Sequence, residues 1–310
     1  MTPTNFNSLE QSGFAGVFPA SPTPVTETGD INEDALRAVL QDNMSHGVHG
    51  FWLAGTSGEG SLLSDLQRER VAMVAGEVTR GRALAIMHVG AITTHSAVKG
   101  ARAAGRAGCA GIACLPPFLI KVSQQSIIDH YKAVADAADG LPLFAYNVPQ
   151  LTEIEFDQTL MEAVHKEVPA LFGVKHSARD LGMIKVWTDM GLTCFSGFGR
   201  LALPALVMGA VGSIDAPLAI APWLYVELFA AWQAGDIETA RARQKSIQAI
   251  VDLTEQFDAV SHVGKTILGA RVGIDCGPSI LPNNRLTSAQ GKIILEHAQA
   301  LGLLDPPSAG

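Results

Sequence analysis

The stretch Leu171-Phe172-Gly173-Val174-Lys175 shows the pattern that decides the fold of this chain. Four apolar or glycine residues run directly into a lysine, and the chain then turns polar. A short, continuous apolar run is typical of a strand that is buried on both faces of a parallel sheet. The lysine that ends it either extends to solvent or lies against an apolar wall, where lost hydration favours the neutral, nucleophilic amine.

Similar apolar runs recur along the first two thirds of the chain, and each ends in glycine or polar residues. Helical patterns lie between them, such as the run from Asn32 to Ser45 and the capping box that Ser64 opens. The apolar runs predict eight strands, at Gly16–Pro19, Gly50–Ala54, Ala83–Val89, Gly111–Leu115, Leu143–Tyr146, Leu171–Lys175, Thr193–Ser196 and Gly212–Asp215.

Strict alternation of buried strands with helices indicates a parallel sheet that is either covered on both faces or closed into a barrel. Eight repeats in about 220 residues favour a (β/α)8 TIM barrel. A doubly wound sheet is the alternative, but Phe18-Pro19-Ala20-Ser21-Pro22 lacks the glycine fingerprint expected after its first strand. After Asp215 the remaining patterns are helical. We therefore expect residues 1–224 to form the barrel with its site, and residues 225–310 to form a C-terminal helical extension.

The composition limits the classes of function. The 310 residues are 47% hydrophobic and 17% charged, with a net charge of −8. This balance argues against nucleic acid or an anionic membrane as the principal partner, and no apolar stretch has the length of a membrane span. The first residues, Met1 to Ser12, do not have the pattern of an export signal. We therefore expect a cytoplasmic protein that acts on a small molecule.

Cysteine and histidine patterns predict no metal or redox site. The four cysteines have no CxxC spacing and lie mostly in apolar runs, as reduced packing residues do. His46 and His49 lie three residues apart, but no third ligand is evident. Gly264-Lys265-Thr266 matches the end of a phosphate-loop motif, yet Ala259 stands where the first glycine is required. We therefore expect Lys265 to be structural.

In a (β/α)8 barrel the chemistry belongs to side chains at the C-terminal ends of the strands. The second strand runs into Gly55-Thr56-Ser57-Gly58-Glu59-Gly60. Glycines let backbone N–H groups approach a ligand, and hydroxyls donate to an anion, so this loop is either a carboxylate cradle or a tight turn with solvated hydroxyls. Glu59 is expected to orient the loop or to cap the next helix rather than to act as a base.

The fifth strand ends in Tyr146, and the fifth and sixth strands are neighbours in a barrel. Tyr146 and Lys175 are therefore expected about one strand spacing apart, roughly 4.8 Å, at the same mouth. A phenol beside an amine can relay protons to and from a carbinolamine. The alternative is a packed tyrosine whose hydroxyl is bonded to the backbone. His88, at the end of the third strand, either reaches the rim of the pocket or packs in the core.

These motifs together resemble those of the N-acetylneuraminate lyase and dihydrodipicolinate synthase family of Schiff-base class I aldolases. The resemblance rests on GTSGE at 55–59, YNVP at 146–149 and GVK at 173–175, in this order and at these intervals. It extends to Gly16-Val-Phe-Pro-Ala20 near the start and to the helical elements at the end. It therefore covers nearly the whole chain, and its specificity comes from the combination of motifs.

The resemblance implies a role for each of these residues. Lys175 would form an imine with the substrate, and Tyr146 would relay protons. No cofactor would be needed, because the imine acts as the electron sink, and the protein would be a homo-oligomer, commonly a tetramer in this family. The residues that would bind a 2-oxo acid are Gly55, Thr56, Ser57 and, through its carbonyl, Ile214.

Two leucines depart from the pattern of the family. Leu151 stands where the synthase has an arginine for the carboxylate of its second substrate. Leu119 stands where many members place a tyrosine from the neighbouring subunit, and a leucine cannot relay a proton. Lysine-pathway synthesis is therefore a weaker expectation than another reaction on the same scaffold.

A third departure concerns charge. The sialic acid lyases carry an acidic pair where this chain has Gly199-Arg200. Arg200 is expected to bind a second carboxylate of the substrate, or else to pair with an acidic residue on a helix. Asp215 would bind a hydroxyl or balance Arg200, and His176 and Ser177 would touch substrate.

We expect reversible aldol cleavage of a 2-oxo acid, such as a 2-keto-3-deoxy sugar acid, to pyruvate and an aldehyde. Dehydration of a 2-keto-3-deoxy sugar acid on the same scaffold is the first alternative. Dihydrodipicolinate synthesis is the second, and a non-catalytic barrel that binds an oxo acid is the third.

Overall fold

The computed structural model describes residues 13–307, so the expectation about an export signal in residues 1–12 lies outside the described part. Within this range the chain forms one sheet of eight parallel strands, each at a predicted position. The strands are β1 (Gly16–Val17), β2 (Gly50–Leu53), β3 (Leu84–His88), β4 (Gly111–Cys114), β5 (Leu143–Asn147), β6 (Leu171–His176), β7 (Thr193–Ser196) and β8 (Gly212–Ser213).

The sheet closes on itself. Neighbouring strands follow the order of the chain, and β8 returns to β1, where Gly212 pairs with Gly16. The seam between β1 and β2 is closed by a parallel bridge between Ala20 and Trp52 and by a 3.1 Å hydrogen bond from the N–H of Ser21 to the carbonyl of Trp52. The predicted TIM barrel is confirmed, and the doubly wound alternative is wrong because that sheet would have two open edges.

The first and last strands are shorter than predicted. The prediction extended β1 to Pro19 and β8 to Asp215, but both ladders end after two residues. Pro19 has no N–H to contribute to the ladder. Asp215 caps the next helix, since its Oδ1 accepts a 2.9 Å hydrogen bond from the N–H of Ala216, and the chain turns there.

Helices cover the outside of the barrel. Their start signals act as predicted: the side chain of Asn32 accepts from the N–H of Ala35, and Ser64 and Gln67 form a capping box. In the described chain, no helix combines the length and the apolar character that a membrane crossing needs. The helices are α1 (Glu33–Ser45), α2 (Asp65–Thr79), α3 (Thr94–Ala107), α4 (Gln124–Ala137), α5 (Pro149–Thr152), α6 (Gln158–Glu167), α7 (Gly182–Asp189), α8 (Ala202–Val207), α9 (Ala216–Ile220), α10 (Pro222–Gln233), α11 (Ile237–Glu255), α12 (Val260–Val272) and α13 (Ser288–Ala300), with 3₁₀ turns at Gly60–Leu62 and Gly199–Leu201.

The alternation of side chains along each strand divides the core into two layers. Along β5, Phe144 and Tyr146 face the barrel interior, whereas Ala145 packs toward the helices. Aromatic rings fill the interior below Tyr146: the ring of Phe144 lies 5.2 Å from that of Phe14 and 6.2 Å from that of Phe195, between centroids. Side chains fill the interior at this end of the barrel, so the open mouth lies at the other end.

The C-terminal helices share a hydrophobic core of their own and are bound to the barrel. Arg271 of α12 donates hydrogen bonds to the carboxylate of Asp42 in α1 and to the carbonyl of Ile220. Helix α10 spans the boundary predicted at residue 224, and its Tyr225 belongs to the main core around the barrel. The extension is therefore continuous with the barrel, and residues 308–310 lie outside the described range.

Replacing Phe144 by alanine tests the aromatic filling of the barrel. The side chain is fully buried, and we expect Phe144→Ala to lower the free energy of unfolding by about 3–5 kcal/mol through the cavity that it leaves. Leu66 is 75% exposed, so Leu66→Ala is the control and should change it by about 0.5 kcal/mol or less. Urea denaturation followed by circular dichroism measures both, and similar losses in the two variants would contradict the prediction.

Candidate active site

Two neighbouring strand ends bring an amine and a phenol together. Lys175 pairs in register with Tyr146 across β5 and β6, and each residue is only 4% exposed. The Nζ of Lys175 lies 4.4 Å from the ring centroid of Tyr146 and 4.9 Å from that of Trp52. The two rings form an aromatic wall beside the amine, and their faces attract its charged form. The structure thus places Lys175 and Tyr146 together as predicted, with the lysine buried rather than extended into solvent.

The loop after β2 reaches the same point. The Oγ1 of Thr56 lies 3.2 Å from the hydroxyl oxygen of Tyr146. These two hydroxyl groups form a hydrogen-bonded pair between the exposed Thr56 and the buried amine of Lys175. These residues line a cavity of about 580 Å³. The other predicted site residues that line it are Ser57, Ser177, Arg200 and Asp215.

Two predicted residues lie behind the cavity wall. Gly55 packs under the indole of Trp52, where a Cβ would lie only 2.6 Å from the ring nitrogen. Ile214 is fully buried in the barrel interior. Close packing therefore holds Gly55 and Ile214 behind the wall. Contact of either residue with a substrate stays a prediction.

The loop after β2 is held from behind. Thr23 donates a 2.7 Å hydrogen bond to the carbonyl of Gly58, and Glu59 has a left-handed backbone with φ of 54°. The carboxylate of Glu59 faces away from the cavity and accepts hydrogen bonds from Lys265, at 2.6 Å, and from the N–H of Ile280, at 2.8 Å. The expectations that Glu59 orients the loop and that Lys265 is structural agree with these contacts.

The two residues after Lys175 face opposite ways. Ser177 lies at the cavity wall, and its hydroxyl oxygen is buried with no hydrogen-bond partner among residues 13–307. His176 lies on the outer side of the barrel, where its Nδ1 accepts from the indole N–H of Trp187 and its Nε2 lies 2.9 Å from the carbonyl of Asp180. The prediction that His176 touches substrate is therefore wrong, because strand alternation turns it outward.

Asp215 is an acid at the edge of the cavity. Its Oδ1 accepts from the N–H of Ala216 at 2.9 Å, and its Oδ2 accepts from the hydroxyl of Tyr225 at 3.4 Å. Gly199 leaves room for this arrangement, since a Cβ there would lie 2.4 Å from Oδ2. Burial raises the pKa of Asp215 to about 6, although the charge of Lys175 and the hydrogen bonds favour the carboxylate. The pKa of this carboxyl therefore lies above the ordinary range of an aspartate.

Arg200 is not a free cation. Its NH1 lies 2.9 Å from Asp252 and its NH2 lies 2.6 Å from Glu255, both on α11. The second of the two expectations for Arg200, pairing with an acidic residue on a helix, describes this contact, and Asp215 is not its partner. The exposed Arg179 also lies at the wall, and it forms no ion pair within the described chain.

Sequence reasoning overlooked Arg179 and Trp52. Arg179 follows Ser177 in a loop, and a single exposed arginine carries no signal of its own. Trp52 lies inside an apolar run, and only its alternation within β2 indicates that it faces the interior. His88 packs behind the wall: its Nδ1 lies 3.0 Å from the carbonyl of Ala54, and burial lowers its pKa to about 3. It is therefore a neutral core histidine, which was one of its two expected roles.

The arrangement suits nucleophilic chemistry on a carbonyl. A buried amine beside an aromatic wall is a candidate nucleophile, and the phenol and hydroxyl next to it are candidates to carry protons. Within the described chain, no three or more His, Cys, Asp or Glu side chains are grouped to hold a metal ion.

Comparisons with known proteins identify the family and several similar chains. The profile of the dihydrodipicolinate synthetase family matches residues 13–292. N-acetylneuraminate lyase 2 of Escherichia coli O6:H1 is 29% identical over 261 residues, which is 83% of this chain and 85% of that protein. The sialic acid aldolase of Ruminococcus gnavus, solved as wild type, superposes with a TM-score of 0.89 at 26% identity, over 93% of this chain and 97% of that one. A dihydrodipicolinate synthase superposes with a TM-score of 0.84 at 26% identity, over 94% and 100% of the two chains.

The pKa of Asp215 predicts a pH-dependent stability. Burial raises it from 3.8 to about 6, so the folded protein favours the neutral carboxyl, and this advantage is lost as the pH rises through that range. Relative to Asp215→Asn, the wild-type free energy of unfolding should fall by about 3 kcal/mol between about pH 4 and pH 7 and then level off. Urea denaturation at several pH values measures it. Asp189→Asn, at an exposed aspartate, is the control, and a wild-type to Asp215→Asn difference that does not change with pH would contradict the prediction.

Proposed function

Because the chain belongs to the dihydrodipicolinate synthetase family, we propose that it is a class I aldolase that forms an imine between Lys175 and a 2-oxo acid. The observation that carries the proposal is the buried amine of Lys175, whose Nζ lies 4.4 Å from the ring centroid of Tyr146. The hydroxyl of Thr56 is hydrogen-bonded to that of Tyr146. The favoured reaction is the reversible cleavage of a 2-keto-3-deoxy acid to pyruvate and an aldehyde.

The proposed reaction begins with binding of the substrate carboxylate by the hydroxyls of Thr56 and Ser57 and by N–H groups of their loop. The neutral amine of Lys175 attacks C2, and loss of water gives an iminium ion. The electrons of the C3–C4 bond flow into this iminium to give an enamine, while the C4 hydroxyl loses its proton and C4 departs as the carbonyl carbon of the aldehyde. Tyr146 receives that proton and relays it through Thr56 toward solvent. Protonation of the enamine at C3 and hydrolysis of the imine release pyruvate.

The substrate's distal end is proposed to carry a carboxylate or another anionic group. Leu151 and Leu119 offer that end neither a cation nor a proton relay. The charge of Arg200 is balanced by Asp252 and Glu255. Arg200 is therefore a weaker candidate for binding this anionic group than the sequence alone indicates. Arg179, with no acidic partner in the described chain, is the stronger candidate for an anionic group.

Aldol cleavage is favoured over dehydration because two of the relatives described above are named as a lyase and an aldolase, and none of them is named as a dehydratase. One solved form of the Ruminococcus gnavus enzyme is a catalytic lysine mutant, which superposes with a TM-score of 0.89 at 26% identity. A catalytic lysine in that aldolase supports the assignment of the same role to Lys175.

Assembly into a homo-oligomer, a tetramer by resemblance to the family, is part of the proposal. Leu119 and Ile120 are 79% and 57% exposed, and Leu119 has a left-handed backbone with φ of 68°. Two neighbouring exposed apolar residues on a loop at the barrel mouth suit a contact with a second copy of the chain.

Borohydride reduction in the presence of pyruvate tests the imine. We expect mass spectrometry to find a pyruvate adduct on Lys175 in the wild type and none in Lys175→Met. Lys185→Met, at a lysine that is 60% exposed, is the matched control and should keep the adduct. If the wild type forms no adduct on Lys175, the proposal fails, and a non-catalytic oxo-acid-binding barrel becomes the better interpretation.

A panel of 2-keto-3-deoxy acids, with and without a distal carboxylate, tests the reaction and its substrate class. Pyruvate release, followed with a coupled dehydrogenase, should be faster with the acids that carry the distal carboxylate. Arg179→Ala should lower kcat/KM for those acids about tenfold or more, as expected for a lost charge-assisted hydrogen bond, whereas Arg200→Ala should have a smaller effect. A new 2-oxo product without pyruvate would establish dehydration instead.

A further inference from the structure

A buried ion pair connects the loop after β2 to the C-terminal extension. The Nζ of Lys265, in α12, lies 2.6 Å from Oε2 of Glu59, and both side chains are 0% exposed. Lys265 also donates to the carbonyl of Pro278 at 2.9 Å. The other oxygen of Glu59 accepts 2.8 Å hydrogen bonds from the N–H of Ile280 and from the side chain of Asn283. Both oxygens of this carboxylate are therefore fixed by the extension.

A second contact joins the same two parts. The hydroxyl of Ser261, one turn before Lys265 in α12, donates a 3.2 Å hydrogen bond to the carbonyl of Ser57. The loop is thus bound to one helix at two places, Ser57 and Glu59. Thr56 and Ser57, which line the cavity, lie at the start of this bound segment, whereas Glu59 and Lys265 do not line the cavity.

The energetics of the ion pair indicate that it fixes the position of the loop rather than that it stabilises the fold. Removing two charges from water offsets most of their attraction, so a buried ion pair adds little net stability compared with apolar packing. Glu59 also has a left-handed backbone, a conformation that is unfavourable for a residue with a side chain and persists only where the surrounding structure holds it. What the pair supplies is one fixed position for the backbone of the loop.

We propose that Glu59 and Lys265 are positioning residues that set the affinity of the site for the carboxylate of its 2-oxo acid. The inference depends on the proposed function, since it assumes that Thr56 and Ser57 bind that carboxylate. The ion pair joins residues 206 positions apart in sequence. The extension is therefore part of the recognition apparatus, although neither member of the pair touches the substrate.

The test compares two ketones in borohydride trapping on Lys175: pyruvate, and hydroxyacetone, which has no carboxylate. In Lys265→Met and Glu59→Gln, we expect the pyruvate concentration for half-maximal trapping to rise about 10- to 100-fold. The value for hydroxyacetone should stay within about twofold of wild type, because the amine and its aromatic wall are unchanged. Lys185→Met, at an exposed lysine outside the site, is the control and should change neither value.

Ser261→Ala is a milder variant, because it removes only the hydrogen bond to Ser57 and keeps the ion pair. It should weaken pyruvate trapping about two- to fivefold, and it decides the question if the ion-pair variants do not fold. An equal loss for both ketones, or an unchanged preference for pyruvate, would overturn the inference. Absence of any pyruvate adduct in the wild type would instead refute the proposed function, so the two failures are distinguishable.

Discussion

A closed barrel of parallel strands ends all of its strands at one mouth, and the rest of the structure depends on this constraint. Closure leaves no free edge and separates an inside from an outside. The side chains of every strand therefore alternate between a layer that faces the helices and a layer that faces the interior. The aromatic rings around Phe144 fill one end of that interior. Side chains that face inward at the other end, such as Tyr146 and Lys175, are therefore forced together at the mouth. Their proximity is a consequence of topology and needs no special local interaction.

This constraint explains why the fold and the centre of the site could be predicted from sequence. A buried strand has a continuous apolar pattern, and eight such strands in alternation with helices leave few arrangements to choose from. Once β5 and β6 are neighbours, the positions of Tyr146 and Lys175 at their ends follow. The same alternation turns His176 outward, and applying it consistently would have removed that residue from the predicted site.

The surroundings of the site were harder to predict because they depend on packing between distant segments. Arg200 is paired with two acids that lie about fifty residues later on α11, and no local pattern indicates that pairing. Glu59 and Lys265 lie in motifs that give no indication of each other, and only the folded chain buries the two side chains together. Trp52 was overlooked for the opposite reason, since a large aromatic residue in an apolar strand looks like any other core residue.

The close approach of Gly199 to Asp215 and Tyr225 has a consequence for substitution at position 199. A Cβ there would lie 2.4 Å from both the Oδ2 of Asp215 and the hydroxyl of Tyr225. Both atoms are the ends of side chains, so a residue other than glycine fits only if the carboxyl and the phenol move. That movement would disturb the 3.4 Å hydrogen bond between them. The identity of residue 199 and the arrangement around Asp215 are therefore coupled.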